Sequence, residues 1–92
     1  MLDAGLRLAA VIGYDRVSRA LAADEVGVHQ STVSYYWPDG IAAYHAGIME
    51  RAVAAGDIVV VAQGLVARHP VADAAPVELR RAAAAYLMGE EA

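Results

Sequence analysis

The sequence predicts an all-α protein of several short helices around one small core. Apolar residues recur at helical spacing, as in Leu2, Leu6, Ala9 and Ile12. Much of the 59% hydrophobic content is alanine, which favours helix strongly and buries little area per side chain. Glycine, proline, serine and aspartate fall at intervals that start and stop helices of ordinary length.

The first helix spans 2–12, and Gly13 ends it as glycine does at a C-terminal cap. Tyr14–Val17 is a short connection, and Ser18 is a good N-cap for a second helix from Arg19 to Val26. Gly27 breaks the chain there, with Val28 expected to pack beneath the turn. A third helix runs from about His29 to Tyr36. Pro38 prevents easy continuation, because the residue before a proline is pushed out of helical geometry. Asp39 is placed to cap a longer fourth helix, which begins near Gly40 or Ile41 and continues at least to Ala55. Gly56 and Asp57 break or bend the chain.

Beyond that break, Ile58, Val61, Ala62, Leu65 and Val66 fit a helical stripe better than strict alternation. The β-branched run Val59-Val60-Val61 leaves a strand as the alternative. His69-Pro70 stops the element, and 71–75 reads as a loop. Pro76 suits a first helical position, ahead of a last helix whose apolar side is Val77, Leu79, Ala83, Tyr86 and Leu87 and which frays at Gly89-Glu90-Glu91. No repeat divides the chain. Residues 1–56 and 57–92 are the two parts of a single compact unit.

The informative stretch is Ser18 to Tyr36. Two short helices meet at a glycine corner, with Ala23 small where they cross, Gly27 in a turn that a Cβ would strain, and Val28 and Val33 expected to fill the wedge. This is the pattern of a helix-turn-helix, whose second helix enters the major groove of DNA.

Residues 2–41 resemble the DNA-binding domain of the TetR-type repressor family. The segment 2–15 is similar to its first helix with a Gly-Tyr ending, 18–28 to its second helix and turn, and 29–39 to its recognition helix with an aromatic-proline-acid exit. Three positions depart from the family pattern. Ala22 stands where a large aliphatic residue is usual, with Leu21 expected to compensate. His29 replaces the usual capping serine, and Gly40 replaces a basic residue that touches phosphate. The resemblance implies transcriptional regulation, repression rather than activation, and binding to a pseudo-palindromic operator. Family members carry a long ligand-binding and dimerising region. Residues 57–92 are too few to enclose a pocket of the usual several hundred Å³, so they are expected to form a dimerising segment of a homodimer without a small-molecule ligand.

The DNA-contacting residues expected on this basis are Arg16, Ser18, Arg19, His29, Gln30, Ser31, Thr32, Ser34, Tyr35 and Tyr36. Gln30 suits an adenine edge, Ser31 or Thr32 a base or phosphate, and the hydroxyls of Ser34, Tyr35 and Tyr36 phosphate oxygens. Arg16 and Arg19 flank the start of the second helix, where phosphate lies in such complexes. Trp37 is expected in the core, covering the base of the motif.

Composition narrows the alternatives. The net charge of −4 argues against a strong non-specific nucleic-acid binder. Within 1–51, the four arginines Arg7, Arg16, Arg19 and Arg51 face six acids, Asp3, Asp15, Asp24, Glu25, Asp39 and Glu50, a balance of −2. Few phosphates are then neutralised, and a shallow salt dependence is expected. There is no cysteine for a disulfide or thiolate metal site, and His29, His45 and His69 are not at ligand spacing, so no cofactor or metal is expected. Asp24 and Glu25 are adjacent on a helix and diverge, and Ser31 and Ser34 lack an arranged acid, so no enzyme is expected. No run is long and apolar enough for a membrane span, and a cytoplasmic protein is the expectation. The rival to DNA binding is an interaction protein that kept the fold and binds a protein partner.

Overall fold

The helix breaks read from the sequence become helix boundaries in most of the expected places. The computed structural model describes residues 1–89, and every regular element among them is helical. Helix α1 (Leu2–Ile12) leads through a 3₁₀ turn (Tyr14–Arg16) to α2 (Arg19–Val26) and α3 (Gln30–Tyr36). The longest helix, α4 (Ile41–Ala55), is followed by α5 (Ile58–Val66), the single turn α6 (Pro70–Asp73) and α7 (Val77–Leu87). The expected fraying at Glu90 and Glu91 lies outside the described residues. The β-branched run of α5 is helical, so the strand alternative is excluded.

Three helices close with the same hydrogen-bond pattern. After α2, Gly27 takes a left-handed conformation (φ 74°) and Val28 N–H donates to the Ala23 carbonyl at 2.9 Å. After α4, Gly56 (φ 69°) lets Asp57 N–H reach Ala52 O at 2.9 Å. After α5 the left-handed position is held by Arg68 (φ 59°), with His69 N–H on Gly64 O at 2.8 Å. Left-handed backbone costs an ordinary L-residue roughly 1–2 kcal/mol, which glycine escapes.

The core is continuous across the chain and includes Ala9, Val33, Ile48, Val61 and Ala83. Its largest fully buried side chains are Tyr44, Ile48 and Met49 of α4, each worth roughly 1.5–3 kcal/mol of burial. Two helical glycines set the spacing. A Cβ on Gly5 would lie 2.5 Å from Tyr44 Oη and 2.8 Å from Ile48 Cδ1, so α1 and α4 meet at a glycine. A Cβ on Gly64 would lie 2.6 Å from Ala72 Cβ and 2.7 Å from Met49 Cε, so α5, α6 and α4 converge at another. Tyr44 donates its hydroxyl to Met1 O at 3.0 Å, and burial raises its pKa above the ordinary 10.0.

Several local expectations are corrected. The 71–75 stretch is not all loop: His69 Nδ1 accepts from Val71 N–H, Pro70 occupies the first helical position, and one turn of helix results. Asp39 does not cap α4, whose N-cap is Gly40 with no side-chain bond. Pro76 is the N-cap of α7 rather than its first residue. Leu21 does not compensate for Ala22. It is 42% exposed while Ala22 is fully buried, the small side chain itself being part of the core. Val28 is 41% exposed, whereas Val33 is fully buried beneath the turn. Helix α5 packs on α1, α4, α6, α7 and the 3₁₀ turn, and Val60, Val61, Ala62 and Gly64 are buried.

Candidate nucleic-acid interface

Helix α3 is held by few contacts. It packs chiefly on α2, and Val33 is its one buried residue. A two-turn helix of this composition has little intrinsic stability, so its ends matter. At the N-terminus His29 adopts extended backbone geometry and its Nδ1 accepts from Ser31 N–H at 3.1 Å, with Ser31 Oγ 2.9 Å away. At the C-terminus Trp37 leaves helical geometry and packs edge-on against Tyr44, ring centroids 4.7 Å apart. Trp37 is half-buried against the core, as expected from the sequence. Helix α3 and the rest of the fold are thus joined by a valine on one side and an indole at one end.

The rest of α3 faces outward. Gln30, Ser31 and Ser34 are exposed and Thr32 is half-buried. Tyr35 is 79% exposed and packs edge-on against Tyr36, centroids 5.4 Å apart. Tyr36 is itself 62% exposed. Both phenol oxygens therefore remain available to solvent-side partners. No carboxylate occurs from Gly27 to Pro38. The nearest acids in sequence, Asp24, Glu25 and Asp39, flank the segment.

The remaining expected contacts sit at the other end of α2, about 12 Å away along an eight-residue helix. Ser18 Oγ accepts from Leu21 N–H at 3.1 Å, so its acceptor role is taken by the cap and its hydroxyl hydrogen is left for a further partner. Arg16 is exposed at the end of the 3₁₀ turn. Arg19 is half-buried, and its Nε is buried without a hydrogen-bond partner among the described residues. An unpaired buried donor of this kind carries a desolvation cost of roughly 1–3 kcal/mol. Arg7, by contrast, lies 3.7 Å from Glu25 in an ion pair.

Two residues that the sequence reading did not single out orient this end of the motif. Gln63 of α5 accepts from Tyr14 N–H and donates to Ala9 O, both at 2.8 Å, closing the last turn of α1 onto the 3₁₀ turn. His45 of α4 donates from Nε2 to Val17 O at 2.7 Å, one residue before the α2 cap. The Tyr14 ring lies edge-on to both His45 and His69, at 6.1 and 5.6 Å. Burial and the neighbouring Asp15 carboxylate raise the Tyr14 pKa. A lone glutamine in the apolar run of α5 was the available signal for this bracket.

Two open apolar grooves lie elsewhere. One, of about 430 Å³, runs between the α1 terminus, α5 and α7; its polar lining residues are Tyr14, Asp15, Gln63 and Tyr86, and the Gln63 amide already bonds Tyr14 N–H and Ala9 O. The other, of about 450 Å³, lies beside α6 and is lined by Val53, Pro70, Val71 and Pro76. No group of acids, histidines or cysteines suited to a metal ion occurs among the described residues. No helix there is long and apolar enough to cross a membrane. No protein-family model, no curated protein and no solved structure matches the chain.

Proposed function

We propose that this chain is a sequence-specific, TetR-like DNA-binding regulator of the cytoplasm that acts as a repressor. The observation that carries the reading is the outward polar face of α3: Gln30, Ser31, Ser34 and Tyr35 exposed on an acid-free helix anchored by Val33. A glutamine amide pairs with adenine in the major groove, and hydroxyls and arginines position the phosphate backbone. Arg16 and Arg19 lie beside the α2 N-terminus, and a phosphate oxygen would give the unpaired Arg19 Nε a partner. A homodimer would set two α3 helices roughly 34 Å apart on a pseudo-palindromic site.

Selection of bound duplexes from a random pool tests this reading. One enriched inverted repeat is expected, bound about ten-fold or more weakly by Gln30→Ala, in keeping with the roughly 1–3 kcal/mol carried by a specific base contact, and more weakly on every sequence by Tyr35→Ala, which removes a phosphate contact. Unselective recovery, or equal binding by both variants, would remove the recognition-helix assignment.

A second reading is a helix-turn-helix protein that binds a protein partner. It is favoured by the net charge of −4 and by the Arg7–Glu25 pair, which withdraws one of the few cations of 1–51. Stable capture of one protein with no retained DNA would decide for it.

A further inference from the structure

His29 does not contact DNA through the edge that faces α3; we infer that it is a positioning residue whose neutral ring holds the first turn of the recognition helix, making that turn dependent on pH. The inference rests on the DNA reading only for its functional consequence.

Ser31 N–H can only donate, so the Nδ1 it bonds at 3.1 Å must be the bare nitrogen, and the ring hydrogen sits on Nε2. Ser31 Oγ, 2.9 Å from the same Nδ1, donates to it as well. Two donors from one residue therefore converge on a single lone pair. Protonation fills that lone pair, sets N–H against the Ser31 N–H, turns the ring into the donor to Ser31 Oγ and places a cation where the helix dipole is positive. The cap is then lost, and the released turn carries Gln30, Ser31 and Thr32.

The charged and titratable groups of the packed helix α2 are Arg19, Asp24 and Glu25. None makes a salt bridge to His29, and Glu25 is held by Arg7. Helix α3 itself contributes only Tyr35 and Tyr36, so no neighbouring ion pair offsets the lost cap. An N-cap loss converts to about a five-fold change in an equilibrium. A histidine that met phosphate as a cation would act in the opposite direction, with binding tightening in acid.

The test compares the wild type with His29→Asn, which caps without titrating, and His29→Ala, which does not cap. Both variants retain His45 and His69, so pH effects common to all three proteins cancel. Ring ¹⁵N shifts and exchange of the Ser31 amide are followed from pH 8 to 5. Affinity is measured over the same range for a duplex selected by the wild type. Expected are an Nε2–H tautomer at pH 8, loss of Ser31 protection in acid in the wild type alone, and binding about five-fold weaker at pH 5. His29→Asn should stay flat and His29→Ala should be weak throughout. Parallel pH profiles in the wild type and His29→Asn, or tighter wild-type binding in acid, would overturn the inference. Failure to select any duplex would sink the DNA reading alone, leaving the amide measurements to decide the role of His29.

Discussion

Helices α3 and α5 are of similar length, seven and nine residues, and have opposite fates. Helix α5 is packed by five other elements and buries Val60, Val61, Ala62 and Gly64. Helix α3 leans on α2 and buries Val33. The difference separates two uses of sequence. In α5 nearly every side chain answers to packing, and its one amide, Gln63, serves the backbone of a neighbour. In α3 one position answers to packing, and the remaining chemistry is left on the surface.

The sharpest way to break this comparison is to add one carbon to α5. Helix propensity alone predicts that Gly64→Ala stabilises the protein by roughly 1 kcal/mol. With Ala72 Cβ 2.6 Å from the new atom, overpacking should win and destabilise by about 3 kcal/mol, read as a lower urea midpoint. Stabilisation would show that α5 is not as tightly enclosed as described. Next in size is Val33→Ala, which should cost about 2 kcal/mol and release α3 from α2 while leaving the helicity of α4 and α5 intact. Circular dichroism with residue-level amide exchange would show protection lost first over 30–36. The smallest effect concerns the end of α5. Arg68→Gly should stabilise by about 1 kcal/mol by relieving the left-handed backbone. The exposed Arg68–Asp73 pair it removes, at 3.5 Å, offsets little. An unchanged or lower melting temperature would place the strain elsewhere.

Much of this architecture was legible in the sequence because glycine and proline mark boundaries through backbone sterics alone. Gly13, Gly27 and Gly56 each fall at a helix end, and Ser18 and Asp57 cap as their side chains allow. The turn α6 was missed because its left-handed entrance is an arginine rather than a glycine and its cap is a histidine. Both are uncommon choices, although Pro70 marked the first position. The exposures of Leu21 and Val28 were misjudged because a family pattern assigns burial by position. Here Ala22 and Ala23 are the buried residues of α2, and Leu21 faces outward. Gly5 and Gly64 look like defects in a helix until the neighbouring helices are in place. Gln30, Ser31, Ser34, Tyr35 and Tyr36 were read as outward-facing from the helix-turn-helix pattern and the family resemblance, and all five are exposed. The capping geometry of His29 was not, because it depends on a two-residue reach of the ring back to the Ser31 amide.

On the proposed function, the polar face of α3 is the working surface. Amide chemical-shift mapping during titration with a selected duplex tests it most directly. The largest changes are expected on Gln30, Ser31, Thr32, Ser34 and Tyr35, with a second group at Arg16, Ser18 and Arg19. Changes centred instead on the groove between α5 and α7, or no changes at saturating DNA, would contradict it.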